Sequence, residues 1–197
     1  MINIIINSKI KMLAQKERTV CFKNMDAIKT VLLLFETSEY AGVESVVTEL
    51  CKLGKQVVSC GYVVKNDTTS YVHKPTQLFI YPKQHTNWLK EPSQSIINEL
   101  IAYDYDIIID LTLQRNPTLE YLLLFISSPF RVGLNKNNKH AFDFSISVDR
   151  NFTQGGEEND STKESLEKDK ESITDNIQMV EYIGKQIIHY LQTIHHA

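Results

Sequence analysis

The chain has 197 residues, a formal net charge of −3 at pH 7 and 42% hydrophobic residues. This length suits one α/β domain with additional terminal segments, and a domain of about 150 residues buries roughly 70% of its unfolded surface. The slightly negative charge gives no basic field to attract nucleic acid, so we expect no nucleic-acid partner.

The cysteines and the apolar runs indicate the compartment. Cys21, Cys51 and Cys60 are odd in number and lack CxxC spacing, which favours reduced thiols over a disulfide framework or a zinc site. The histidines also lack the spacing of metal ligands. No apolar run approaches the roughly 18 residues that a membrane span needs. We therefore expect a cytoplasmic protein without a metal site.

Residues 1–25 carry five basic side chains and a single acid, Glu17, with isoleucines near helical spacing. This pattern predicts a basic amphipathic helix. Such a helix could lie on a membrane surface or dock on a partner. The alternative is that its apolar side packs on the domain, and we favour this because the apolar stripe is short.

Residues 30–35 form an apolar run without alternation, which is typical of a strand covered on both faces. A helix should follow, capped by Thr37 or Ser38 and ended near Gly54, before a second strand at 56–64. The turn between strand and helix contains one glycine and two carboxylates, so it does not resemble a phosphate cradle. We expect no nucleotide or other cofactor there.

Residues 66–92 are polar and aromatic, with one convincing strand at 77–81. Their aromatic and histidine side chains could line a ligand groove, which makes Trp88 a binding candidate. The alternative is a loop that Trp88 staples to the domain. Pro92 is expected in the first turn of the next helix.

Residues 105–112 contain three consecutive isoleucines between two aspartates and predict the central strand. After it, Asn116 is the expected N-cap of a helix at 118–126, with Pro117 at the first helical position. Open α/β sheets keep their sites at such strand ends.

The strand end therefore supplies the candidate site. Five side chains should converge there, near a helix N-terminus that favours an anion: Asp110, Thr112, Gln114, Arg115 and Asn116. In the alternative interpretation Asn116 only caps the helix and Arg115 pairs with Asp110.

The remaining segments complete the domain. A short strand is expected at 130–134 and an alternating edge strand at 142–149. Residues 150–172 are acidic and poor in apolar side chains, which predicts a flexible loop. The last helix, 173–197, has an apolar seam that could pair two protomers, although packing on the sheet is the commoner outcome.

Together these elements predict a single three-layer Rossmann-like α/β domain with a mostly parallel sheet. The expected division is a basic N-terminal helix (1–25), the core (26–149), the acidic loop (150–172) and a C-terminal helix that packs on the core (173–197).

Five segments carry a resemblance to a bacterial family of short uncharacterised proteins, a domain of unknown function. In chain order they are Asn24-Met25-Asp26-Ala27-Ile28-Lys29-Thr30-Val31, Asn87-Trp88 with Lys90 and Pro92, Tyr105-Asp106-Ile107-Ile108-Ile109-Asp110-Leu111, Arg131-Val132-Gly133, and Gln186-Ile187-Ile188-His189-Tyr190-Leu191. The resemblance spans nearly the whole chain and implies a fold but no activity.

The central strand with residues 131–133 is also distantly similar to the N-terminal, acceptor-side half of GT-B glycosyltransferases of the heptosyltransferase type. That class binds its sugar nucleotide on a second Rossmann-like domain, and nothing after Val148 is long enough to form one.

Two function classes remain. The first is a non-catalytic binding or scaffold domain that contacts an unknown protein or small molecule through residues 110–116 or Trp88. The second is a transferase-like enzyme or its remnant, with Asp110 as the candidate base and Arg115 as the anion clamp. We favour the first, because acid–base chemistry requires a second positioned group and none can be named.

Overall fold

A computed structural model describes residues 2–65, 67–136, 141–147 and 165–194, with side chains from Ile5 onward and, in the last helix, from Thr174. The strands are β1 (Thr30–Glu36), β2 (Gln56–Tyr62), β3 (Gln77–Ile80), β4 (Ile107–Asp110), β5 (Arg131–Leu134) and β6 (Phe144–Ile146). The helices are α1 (Ile2–Ala14), α2 (Tyr40–Lys52), α3 (Pro82–His85), α4 (Gln94–Leu100), α5 (Pro117–Phe125) and α6 (Ser165–Thr193), and a 3₁₀ turn (Thr37–Glu39) precedes α2.

The six strands form one sheet in the order β3-β2-β1-β4-β5-β6, and every neighbouring pair is parallel. This is the strand order of doubly wound dinucleotide-binding sheets. The chain moves outward from β1 in one direction and from β4 in the other, so the topological switch point lies between these two strands. The prediction of a three-layer Rossmann-like domain is confirmed.

Helices cover both faces of the central strands, which explains their continuous apolar sequence. Leu33 and Ile109 point into a core shared with α2 and α6, whereas Leu32 and Ile108 point into a second core shared with α1, α4 and α5. All four side chains are at most 1% exposed. A parallel strand that is buried on both faces carries apolar residues at every position, so its sequence does not alternate between polar and apolar residues.

α1 covers part of the second face. Ile6 and Ile10 are buried in the same cluster as Leu119 and Leu122 of α5. The helix ends at Ala14, so it is shorter than the predicted 1–25. After α1, two side-chain ion pairs hold the chain on the sheet: Arg18 with Asp143, and Lys23 with Asp106. These contacts favour an irregular path over a longer helix.

α6 packs on the other face, against α2. Val180, Ile183 and Ile187 are buried in the core beneath it, which agrees with packing on the sheet rather than an exposed seam. The helix begins at Ser165, inside the segment predicted as an acidic loop. Its glutamates and lysines are good helix formers despite their lack of apolar surface. Residues 150–164 of that segment lie outside the described residues.

Two local predictions are corrected and a third is confirmed. Glu36 and Glu39 form a capping box at the 3₁₀ turn, so neither Thr37 nor Ser38 is the cap. α4 begins at Gln94, because Pro92 is held in a bridge with Thr86. Gly54 has φ 75° directly after α2, as expected for a C-terminal glycine.

The edges of the sheet also match the sequence pattern. β6 is the predicted edge strand, although Val148 and Asp149 of the predicted range lie outside the described residues. In the part of the chain that the structure describes, no helix is long and apolar enough to cross a membrane.

Candidate functional site

The carboxyl ends of β1 and β4 bring together a group of polar side chains that we call the switch-point cluster. Its members come from five different segments: Glu36, Glu39, Asp110, Thr112, Asn116 and Lys136. Three of them were candidates from the sequence. The strand order explains the convergence, because β1 and β4 are neighbours and both end at this edge.

Asp110 is 5% exposed, and both of its carboxylate oxygens are used. Oδ1 accepts from the Thr112 backbone N–H at 2.9 Å and from the Thr112 hydroxyl at 2.6 Å. Oδ2 forms an ion pair with Lys136 Nζ at 2.7 Å, and that ammonium also donates to Thr112 Oγ1. A buried carboxylate is stabilised when it is paired and hydrogen-bonded in this way.

Asn116 is the N-cap of α5, as predicted. Its Oδ1 accepts from the backbone N–H groups of Thr118 and Leu119 at 3.0 and 3.3 Å. Its Nδ2 donates to Glu36 Oε1 at 2.7 Å, which joins α5 to the end of β1. The cap therefore does more than satisfy the helix, because it also fixes the Glu36 carboxylate.

Glu39 is the most unusual titratable group of the cluster. Its side chain is directed into the cluster, and the residue is 3% exposed. Its Oε2 accepts from the Glu36 backbone N–H at 3.3 Å. Burial raises the pKa of Glu39 to about 8, and the neighbouring Glu36 carboxylate adds to the rise. At neutral pH this carboxyl is mostly protonated.

Arg115 does not pair with Asp110, so this part of the alternative interpretation is wrong. Its Nε donates to Glu120 Oε2 at 2.6 Å, and its terminal nitrogen donates to Asn7 Oδ1 of α1 at 2.8 Å. Burial raises the pKa of Glu120, and the Arg115 guanidinium opposes that rise. Arg115 therefore bridges α5 and α1 beside the cluster.

The described residues leave little space at this edge. Beside Asp110, Asn116 and Lys136 there is a cavity of about 10 Å³, closed on another side by Phe142. A volume of this size holds about one water molecule. Among the described residues, no group of three or more histidine, cysteine, aspartate or glutamate side chains is placed to hold a metal ion.

Trp88 lies in a different environment, on the loop formed by residues 86–92, which we call the Trp88 loop. Trp88 is 68% exposed, so the alternative interpretation in which Trp88 staples the loop to the domain is wrong. Asn87 orders the loop instead, since its Oδ1 accepts from the backbone N–H groups of Leu89 and Glu91 at 2.9 and 3.1 Å. Lys90 adopts a left-handed φ of 64° within it.

Two further contacts fix the Trp88 loop on the domain. The Thr118 hydroxyl in the first turn of α5 donates to the Lys90 carbonyl at 2.8 Å. Glu91 forms an ion pair with Lys9 of α1 at 2.5 Å. The loop is thus held at the same helix terminus that Asn116 caps, and Trp88 projects from it into solvent.

Three members of the cluster were not candidates from the sequence. Glu36 directly follows the first apolar run, so pairing the ends of the two predicted central strands could have found it. Glu39 lies in a turn whose burial depends on α6, and Lys136 lies two residues beyond β5. Neither has a local sequence signal.

Three residues of the segments that carry the resemblance have structural roles. Asp106 accepts from the backbone N–H groups of Lys29 and Thr30 at 2.7 and 3.0 Å and so ties β4 to the start of β1. The Arg131 guanidinium donates to the Leu124 and Ile126 carbonyls at the end of α5. A Cβ on Gly133 would lie 2.5 Å from the Phe142 ring, so a side chain is excluded there.

The fold and its switch point define a doubly wound, Rossmann-like α/β domain. In this domain the polar groups at the ends of the central strands are paired with one another. The chain belongs to a family of unknown function, DUF6913, whose match covers residues 2–159. No curated protein and no solved structure matches the chain. This match confirms the resemblance to a domain of unknown function over residues 2–159, and the last of the resembling segments, residues 186–191, lies outside it.

Proposed function

We propose that the chain is a non-catalytic binding domain that holds a protein partner through the Trp88 loop. The observation that carries this proposal is the exposure of Trp88, 68%, on a loop whose backbone is fixed by hydrogen bonds. Large aromatic side chains supply much of the energy of protein interfaces. A loop that is already ordered loses little conformational entropy on binding.

The switch-point cluster supports a structural rather than a catalytic role for its residues. A general base must lie within reach of its substrate. Asp110 accepts two hydrogen bonds on Oδ1 and pairs with Lys136 through Oδ2, and the adjoining space of about 10 Å³ that the described residues enclose is too small for a substrate. Thr112 and Asn116 are buried, and the exposed Arg115 side chain is held by Glu120 and Asn7. Among the sequence candidates, Trp88 therefore presents the exposed aromatic surface.

The proposal is tested by comparing full-length wild type with Trp88→Ala as immobilised baits, with quantitative mass spectrometry of the proteins they retain. We expect at least one partner to be lost with Trp88→Ala while the midpoint of thermal unfolding stays unchanged, because exposed substitutions alter stability by about 0.5 kcal/mol or less. The matched control is Tyr182→Ala, which removes an aromatic ring that is exposed on α6 instead.

Two results would contradict this function. One is a set of retained proteins that is the same for wild type and Trp88→Ala. The other is a large loss of stability in Trp88→Ala, which would assign the indole to folding. Retention lost equally with Tyr182→Ala would indicate non-specific adhesion of exposed aromatics.

The transferase-like function is the alternative, and the location of Asp110 at the switch point of a doubly wound sheet favours it. It predicts release of nucleotide from a sugar nucleotide, lost on Asp110→Asn. We expect no release above the buffer background. The GT-B relationship, the bacterial origin and the cytoplasmic location stay predictions from the sequence.

A further inference from the structure

The exposed aromatic surface that begins at Trp88 continues along α5. Tyr121 and Phe125 lie one helical turn apart, and their rings stack at a centroid separation of 5.5 Å with 12° between the ring planes. Phe125 is 41% exposed. Burial raises the pKa of Tyr121, and the nearby Glu91 carboxylate of the Trp88 loop adds to that rise. Tyr121 therefore lies beside the loop, and its stacked partner extends the aromatic surface away from it.

We call Trp88, Tyr121 and Phe125 together the Trp88 surface. Its two parts are fixed relative to each other, because the Thr118 hydroxyl of α5 donates to the Lys90 carbonyl of the loop at 2.8 Å. Exposed aromatic side chains on a rigid support are typical of interaction sites, since they bury a large area and lose little conformational entropy. One extended segment of a partner can contact both parts.

Two acidic side chains beside the Trp88 surface are neutralised within the domain. Glu91 of the loop forms an ion pair with Lys9 of α1 at 2.5 Å. Glu120 of α5 forms an ion pair with Arg115 at 2.6 Å. These two carboxylates already have cationic partners, so they do not balance further positive charge.

Two lysines of the same region have no such partner. Lys90 lies in the Trp88 loop, and Lys83 lies in α3, directly before it. Both are exposed and form no ion pair with the described residues. The end of α3 is joined to the base of the loop, where the Ser93 N–H donates to the His85 carbonyl at 2.7 Å. The segment that presents Trp88 therefore also presents two unpaired ammonium groups.

The N-terminal segment adds to this positive charge. Residues 1–25 contain five basic residues and one acid, although the whole chain has a formal net charge of −3. Two of the basic residues are paired with aspartates, but Lys11 and Lys16 are exposed and form no ion pair with the described residues. Because α1 packs on α5, this part of the protein is positive while the protein as a whole is negative.

We propose that the Trp88 surface binds an acidic segment of a partner protein that carries an aromatic or aliphatic side chain. The apolar side chain would lie against the exposed rings, and neighbouring carboxylates would meet Lys90 and Lys83. Complementary charge of this kind speeds the encounter and disfavours basic partners. The inference rests on the proposed function of the Trp88 loop and adds the chemistry of the partner.

The test begins with a library of random linear peptides displayed on phage and selected on immobilised full-length protein. Peptides that Trp88→Ala retains are removed first, so the survivors are those that need the indole. We expect the survivors to be enriched in aspartate and glutamate around an aromatic or aliphatic residue.

A synthetic copy of an enriched peptide then measures affinity. Trp88 is the only tryptophan of the chain, so its emission reports binding at this loop directly. We expect a saturable shift of the emission to shorter wavelength as the indole leaves water. The matched probe is the same peptide with lysine in place of each acidic residue, and it should cause no shift.

Charge reversals assign the acidic side chains of the peptide to the lysines. Lys90→Glu should raise the dissociation constant by about three- to tenfold, as expected for reversing one exposed charge, and Lys83→Glu should raise it too. Lys52→Glu, at the exposed end of α2 on the other face of the sheet, is the matched control and should leave it unchanged. Near-ultraviolet circular dichroism checks that each variant is folded.

The outcomes separate this inference from the proposed function. Survivors that need Trp88 but are not enriched in acidic residues would overturn the acidic partner and leave the Trp88 loop as a binding site. An affinity that Lys90→Glu and Lys83→Glu both leave unchanged, or that Lys52→Glu lowers equally, would do the same. If no peptide needs Trp88, the inference fails, and the comparison of baits decides the proposed function separately. An emission shift with anionic phospholipid vesicles and not with the acidic peptide would assign the surface to a membrane and overturn the inference as well.

Discussion

Glu39 is a buried carboxyl whose pKa makes stability depend on pH. Burial raises the pKa of this carboxyl from 4.5 to about 8, with Glu36 as the second cause. The folded protein therefore holds a proton there that the unfolded chain has released. Between about pH 4.5 and 8 the folded state binds more protons at this site, so its contribution to the free energy of unfolding falls as the pH rises.

Glu39→Gln should remove this dependence, because an amide keeps the hydrogen bond from the Glu36 N–H and does not titrate. The variant should gain stability relative to wild type as the pH rises from 5 to 8, by up to about 1.4 kcal/mol per pH unit. Urea unfolding at several pH values measures this difference.

The matched control is Glu17→Gln, whose carboxyl is exposed at the surface. Its difference from wild type should stay constant across the same range. A constant difference for Glu39→Gln as well would mean that the Glu39 carboxyl is solvated, in contradiction to its position in the switch-point cluster.

At the scale of elements, α2 and α6 approach each other unusually closely. A Cβ on Gly42 would lie 2.4 Å from the Ile177 carbonyl oxygen, and a Cβ on Gly184 would lie 2.3 Å from Val46 Cγ2. A side chain on Gly42 would therefore clash with backbone, whereas one on Gly184 would clash with a side chain. Both glycines set the distance between the helices, but the side chain of Val46 can move more easily than the backbone of α6.

Gly42→Ala should lower the free energy of unfolding by about 1–3 kcal/mol, the usual cost of overpacking, even though alanine is the better helix former. Chemical unfolding of the full chain measures the loss. Unchanged or increased stability would show that α6 can move away from α2 at no cost.

Gly184 provides the comparison through a double-mutant cycle. Gly184→Ala should be relieved by Val46→Ala, because the second change removes the atoms that the new methyl group meets. The loss in the double variant should then be smaller than the sum of the single losses. Additive losses would exclude direct contact as the cause.

The elements also show how far sequence reasoning reaches. The central strands β1 and β4 were predictable because burial on both faces leaves an apolar run, and α5 was predictable because Asn116 and Pro117 are local signals. The ion pair of Asp110 with Lys136 was not, since it joins positions 26 residues apart through the order of the strands. The start of α6 was missed because charged helix formers resemble loop residues in composition.

At the scale of the whole molecule, the second face of the sheet depends on a helix from the N-terminus. α1 joins the domain by packing on α5 and by side-chain contacts such as Arg115 with Asn7 and Lys9 with Glu91. Its apolar residues Ile6 and Ile10 are 0% and 4% exposed, whereas Met12 is 71% exposed. The helix therefore uses its apolar stripe inside the protein.

A pair of substitutions distinguishes a helix α1 that packs on the domain from one that lies on a membrane surface. Ile6→Asp places a charge in the core and should lower the free energy of unfolding by about 3 kcal/mol or more. Met12→Asp changes the solvent side of the same helix and should alter it by about 0.5 kcal/mol or less. Thermal and urea unfolding measure both.

Co-sedimentation with anionic phospholipid vesicles completes the comparison. We expect wild type and Met12→Asp to remain in the supernatant, because a membrane-surface helix inserts its apolar face and that face is already buried against α5. If wild type instead sediments with the vesicles and Met12→Asp does not, the exposed side of α1 is the membrane contact. Equal stability of the two variants would mean that α1 does not contribute to the core, and the second face of the sheet would then need another cover.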